Sequence, residues 1–205
     1  MPEFGISEFS ILVAGGTEKK KKTKLKNIAN RGEYQHYKDY YLALRAAIKS
    51  VVKGNKPETY LEVVVKRQAD MSKQSKYRKV ISNYRSWREG KYVEGFPEIS
   101  NKYVFMNTMI TCNPEFNLLI SGQRKLVKLN FSISDPMTQE RANIICALMR
   151  EVVGDSNFEY LVLDLANQKE FYFKGDHYQV MDMIHSKIME VEGWWEEFNP
   201  EFQGE

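Results

Sequence analysis

The sequence predicts an α+β fold: a helical N-terminal part, then a mixed or antiparallel sheet with helices packed on it. Three observations predict it. Apolar side chains recur at three- and four-residue steps over residues 37–52 and 77–87. From residue 103 onward the alternation shortens to every second residue. Helical stripes then return at 145–152 and 180–198, each separated from the last by strand-like segments, so the second half reads β-β-β-α-β-β-α.

The first helix is expected from about Glu33 to Lys53, with Tyr37, Tyr40, Tyr41, Leu44, Ile48, Val51 and Val52 on one face. Gly54-Asn55 stops it. Pro57 and Glu58 suit the first turn of a second helix, although valines over 61–65 make a short strand its competitor. Tyr77, Val80, Ile81, Tyr84 and Trp87 form the stripe of a third helix, whose remaining surface carries Lys73, Lys76, Arg78, Lys79, Arg85 and Arg88. An aromatic stripe at helical spacing is the mark of a core-facing side, so the cations, not the rings, are left for a partner.

Residues 90–100, with Gly95 and Pro97, read as a loop. Strands are expected at about 103–112, 115–121 and 124–133. In the last of these Val127, Leu129, Phe131 and Ile133 oppose Lys128, Asn130 and Ser132. Asp135-Pro136 is read as a helix start, with the cap at 135, and Gly154 as its end. Residues 158–165 are almost wholly apolar, as in a strand covered on both faces. A strand over 169–173 follows. The last helix begins at Asp176 and Gln179, which resemble a capping box. Its stripe runs through Val180, Ile184, Ile188, Val191, Trp195 and Phe198. Three segments result: a basic, mobile tail over 1–30, a helical basic region over 31–90, and an α+β core over 101–205.

With 42% hydrophobic and 28% charged residues in 205, the chain is neither disordered nor a membrane span. The apolar stretch 9–14 is too short for a signal-peptide core and its basic residues follow it, so a cytoplasmic location is expected. Cys112 and Cys146 sit in apolar contexts and read as small core residues. His36, His177 and His185 have no metal-ligand spacing to a cysteine. Asp176, His177, Asp182 and His185 read as a helix cap followed by surface polar residues. No cofactor and no metal is expected.

Charge is divided along the chain. Residues 1–91 carry 21 Lys and Arg against 9 Asp and Glu, a net +12; residues 92–205 carry 9 against 18, a net −9. Either the basic half meets a polyanion, or the two halves attract one another, within one molecule or between copies. The block Lys19, Lys20, Lys21, Lys22, with Lys24 and Lys26, should stay solvated because like charges repel. Gly15-Gly16-Thr17 before it lacks the second glycine and the Lys-Ser/Thr of a phosphate loop. Nucleic-acid contacts are therefore expected at Lys19, Lys20, Lys21, Lys22, Lys24, Lys26, Arg78, Lys79, Arg85 and Arg88.

One constellation bears on catalysis. Pro114-Glu115 opens a strand, and Lys128 lies on the next. With the order helix, three strands, helix, strand, this resembles the restriction-endonuclease-like fold, the PD-(D/E)xK nucleases. The resemblance covers about 57–165. It implies carboxylates that hold magnesium and a lysine that positions the attacking water. Leu126 stands where that family has its second acid, and Asp164 is the one substitute on a later strand. Glu115, Lys128 and Asp164 are thus the catalytic candidates. The ordinary reading makes Pro114-Glu115 a turn and Lys128 a solvent-facing residue.

The C-terminal helix, with Glu190, Glu192, Glu196 and Glu197 around Trp194-Trp195, suits docking, with Trp195 in the core and Trp194 outside. The leading expectation is a small non-enzymatic binding protein, of bacterial or phage accessory type. It would contact nucleic acid or an acidic protein through its basic half. A metal-dependent nuclease and a subunit docking through the acidic, tryptophan-bearing end are the alternatives.

Overall fold

The computed structural model describes residues 1–30, 39–155 and 157–198. The elements run β1 (Glu3–Gly5), α1 (Ile6–Val13), α2 (Glu18–Ala29), α3 (Leu42–Val52), α4 (Tyr60–Lys66), α5 (Met71–Arg88) and β2 (Val93–Phe96). Then come β3 (Asn101–Phe105), β4 (Thr108–Cys112), β5 (Phe116–Ile120), β6 (Gln123–Asn130), α6 (Gln139–Val153), β7 (Glu159–Asp164), β8 (Lys169–Tyr172) and α7 (His177–Phe198). The fold is α+β. The helix expected from Glu33 begins, within the described residues, at Leu42; positions 33–38 lie outside them.

The main sheet has the order β2-β5-β6-β7-β8. Its pairs are antiparallel except β6 and β7, which run parallel and are joined by α6. Alternation along the strands divides the core in two. Val127, Leu129, Leu161, Leu163, Phe116 and Leu118 face α3, α4 and α5. Leu126, Tyr160 and Val162 face the other way, onto α6 and α7 with α1 and α2 beyond. From Tyr160 to Asp164 β7 is buried on both sides, as its apolar run implies. The aromatic stripe of α5 is likewise core: Tyr77, Val80, Ile81, Tyr84 and Trp87 are all buried.

The 90–100 segment, expected to be a loop, contributes β2, which pairs with β5 at the edge of the main sheet, and four further expectations are corrected. The strand expected over 103–112 is a hairpin in a second sheet of order β1-β4-β3, so the strand groups do not join in one. The chain turns at Met106, whose φ of 51° is left-handed backbone with no glycine to announce it. The 1–30 segment is no mobile tail. Phe4, Ile6, Phe9, Leu12, Val13, Leu25 and Ile28 enter the core, and β1 pairs in parallel with β4. The lysines of α2 sit on a helix whose Leu25 and Ile28 anchor it, and burial of those two outweighs the repulsion among the ammonium groups.

Third, the 139–153 helix is capped by Thr138, whose Oγ1 accepts from Arg141 N at 3.2 Å, and not by Asp135. The Asp135 and Pro136 carbonyls instead accept from the buried Arg141 guanidinium, both at 2.7 Å, which keeps that dipeptide outside the helix. Fourth, Trp194 is buried and Trp195 half-buried, the reverse of the expected assignment. Other boundaries follow the sequence: Gly154 ends α6 at φ 67°, and Asp176 Oδ1 accepts from Gln179 N at 3.0 Å at the start of α7. Residues 60–66 are helical, so helix wins over strand there. Among the described residues no helix is long and apolar enough to cross a membrane.

Candidate functional site

The register of β5 and β6 pairs Phe116 with Val127; one step further it sets Glu115 opposite Lys128. Lys128 Nζ donates to Glu115 Oε1 at 2.9 Å, to the Asn113 carbonyl at 2.8 Å and to Asn113 Oδ1 at 3.0 Å. Glu115 Oε2 accepts from Leu129 N at 2.7 Å. The last residue of β2, Phe96, pairs with Asn117, so Glu115 lies beyond the end of that strand. Arg45 of α3 reaches it there, with Nε 3.4 Å from Oε1, an ion-pair distance without hydrogen-bond geometry. Arg45 is itself held by Asp39 at 2.7 Å. Glu115 is 5% exposed and Lys128 7%, so Lys128 is not the solvent-facing residue of the ordinary reading.

These groups border a cleft of about 820 Å³ between the two sheets, lined also by Ser7, Lys49, Glu98 and Thr111. Asp164 does not line it. Its register partner is Asn130, whose Nδ2 donates to Asp164 Oδ1 at 3.1 Å. Ala166 N and Asn167 Nδ2 fill the rest of the Asp164 carboxylate at 3.0 and 2.9 Å, so it ties down the turn after β7. Glu115 and Lys128 are thus brought together and Asp164 is not joined to them. Both Glu115 oxygens are occupied by a cation or an amide. Magnesium sites share charge between two or more oxygen ligands, and the cleft presents Glu115 already neutralised. Among the described residues no group of three or more His, Cys, Asp or Glu is placed to hold a metal ion.

The basic candidates fall in two places. Lys19 to Lys26 lie on α2, in the layer of α6 and α7; Arg78, Lys79, Arg85 and Arg88 lie on α5, across the main sheet. They do not form one surface. On α2, Lys21 Nζ donates to the Val13 carbonyl at 2.8 Å. Lys22 pairs with Glu18 and with Glu197 of α7, and its pKa is raised, first by the hydrogen bond to Glu197. Lys24 lies 3.5 Å from Asp135. Lys19, Lys20 and Lys26 have no carboxylate partner among the described residues. On α5, Arg85 is held by Glu58 and Glu62 at 2.8 and 3.1 Å, and Arg88 donates to Tyr84 Oη. Lys76, Arg78 and Lys79 are exposed and have no carboxylate partner there.

Ion pairs cross the charge boundary at residue 91. Lys22–Glu197, Lys24–Asp135, Arg45–Glu115, Lys49–Glu98, Lys53–Glu98 and Lys91–Glu170 each join a cation of the first part to a carboxylate of the second. Much of the division is thereby closed within the molecule. Sequence reasoning missed Arg45, whose contact with Glu115 depends on where β2 ends. The Glu115–Lys128 contact was available from the 13-residue separation across a tight turn at Ser121-Gly122. Both cysteines are buried free thiols, and burial pushes Cys112 up to about 12, which suits inert core residues.

No family model and no curated protein matches the sequence.

Proposed function

We propose that the protein is a non-enzymatic binding protein that holds nucleic acid along the exposed side of α5. One observation carries this reading. Over its 18 residues α5 has six cations and no carboxylate, and Lys76, Arg78 and Lys79 are exposed with no acidic partner among the described residues. The helix spans about 27 Å, a length over which a phosphate backbone presents repeated charges. The lysines of α2 contribute less, because Lys21, Lys22 and Lys24 are engaged within the molecule. The test is a binding titration against Lys76→Ala/Arg78→Ala/Lys79→Ala; retention of wild-type affinity by that variant defeats the reading.

A second reading, a nuclease on a degenerate restriction-endonuclease-like core, is favoured by one observation. Glu115 and Lys128 meet at the mouth of a cleft, with α6 leading from β6 into the parallel β7. The occupied carboxylate and the separate placement of Asp164 weigh against it. Docking through the C-terminal helix loses its anchor, since Trp194 is buried and Glu197 is engaged by Lys22.

A further inference from the structure

We infer that a pocket beside α5 seats an unpaired base, so that the strand held there is single-stranded nucleic acid. The inference rests on α5 as a phosphate-contacting helix and names the class of strand it takes. The pocket, of about 590 Å³, is lined by Tyr40, Tyr41, Lys76, Ser132, Ile133 and Ser134. Its aromatic wall is fixed before any ligand arrives. Tyr41 stacks on Phe131 at 5.2 Å and 18° and on Tyr77 at 5.9 Å and 23°. Tyr40 meets Tyr41 edge-on at 4.8 Å, and its carbonyl accepts from Tyr77 Oη at 2.7 Å.

The opposite wall is open and mixed, with Ile133, 55% exposed, between Ser132 and Ser134. Ser132 Oγ is engaged by Ser134 Oγ and by Asp135 N, both at 3.1 Å, which leaves the Ser134 hydroxyl to meet a base edge. Positive charge stands beside the rings. The Lys73 and Lys76 ammonium groups lie 4.9 and 5.3 Å from the Tyr40 centroid, and Lys79 follows one turn along the helix. Among the described residues no carboxylate lines the pocket. The nearby Asp70 caps α5 through Ser72 N and Lys73 N, and Asp39 is engaged by Arg45. Rings for a base, a hydroxyl for its edge and ammonium groups for the flanking phosphates are the components of a single-strand site. A duplex covers its base faces by stacking and gains nothing from the rings.

Fluorescence anisotropy in low salt, with labelled twelve-residue oligothymidylate, an abasic strand of equal length and charge, and a duplex, tests this. The expected result is oligothymidylate binding roughly tenfold tighter than the abasic strand, with that preference lost in Tyr40→Ala and Ile133→Ala and kept in Tyr40→Phe. Should Tyr40→Ala melt early, Ile133→Ala at its exposed position carries the test alone. Equal binding of the thymidylate and abasic strands, or a duplex bound as tightly, overturns the inference and leaves the phosphate-contacting helix standing. Binding of none of the three removes both.

Discussion

Glu115 and Lys128 meet at 2.9 Å inside the protein, 13 residues apart in sequence, on neighbouring strands whose register sets them opposite. The pair is closed: the lysine also donates twice to Asn113, and the carboxylate also accepts from Leu129 N and sits against Arg45. With both Glu115 oxygens and the Lys128 ammonium engaged, the arrangement holds the end of the sheet to α3.

Removing one member therefore leaves a buried charge without its partner. Glu115→Ala is expected to destabilise the fold by about 3–5 kcal/mol. Joint replacement of Glu115 and Lys128 by apolar residues should cost less than the sum of the single changes. Urea denaturation of the two singles and the double reads this; additive effects would show that the pair is not coupled.

The same closure bears on catalysis. Purified protein is expected to leave DNA intact in magnesium or manganese, since Glu115 has no second carboxylate beside it and Asp164 is bound into its own turn. Metal-dependent cleavage that disappears in Lys128→Met, with the fold preserved, would establish the nuclease reading instead.

The N-terminal segment gives a third test. Leu25 is fully buried on α2, so Leu25→Ala should cost about 2–5 kcal/mol. Lys19→Ala and Lys20→Ala, on the exposed side, should stay within about 0.5 kcal/mol. A mobile tail would show no cost at Leu25.

Legibility followed burial and period. The alternation of Val127 and Leu129 against Lys128 and Asn130, the apolar run at 160–165, the stop at Gly154 and the start at Asp176 all stated their structures locally. The basic block did not. Its charges are conspicuous, whereas the Leu25–Ile28 pair that decides its fate is only one turn long. The hairpin at Met106 was hidden because a left-handed residue there is not a glycine. Thr138 was passed over for Asp135-Pro136 because only the folded chain brings the Arg141 guanidinium to those carbonyls. At the candidate site, the strand spacing carried the Glu115–Lys128 contact, but the engagement of Lys21, Lys22 and Lys24 rests on tertiary neighbours.

A pH dependence follows from the contact between α5 and β8. Burial of Glu170 works against its charge. The hydrogen bond from Trp87 Nε1, the Lys91 ammonium and the Tyr172 hydroxyl outweigh it and hold the carboxyl below its ordinary value. Burial works against the charge of Glu98 too, and the hydrogen bonds and charges of Lys49 and Lys53 together outweigh it, so its carboxyl is lowered as well. A carboxyl lowered on folding contributes stability that is present above its unfolded pKa of about 4.3 and lost as pH falls through the folded value. The urea midpoint should drop below about pH 4, and Glu170→Gln should flatten part of that drop. An acid limb identical in Glu170→Gln would remove Glu170 from the account.

The salt dependence of nucleic-acid binding tests the central claim most directly. If Lys76, Arg78 and Lys79 meet three phosphates, a plot of log affinity against log salt should have a slope of about −2 for a single strand and about −3 for a duplex. Lys76→Ala/Arg78→Ala/Lys79→Ala should bring the slope toward zero with the fold intact. No binding at low salt, or an unchanged slope and affinity in the triple variant, would contradict the assignment of α5 as the nucleic-acid-binding helix.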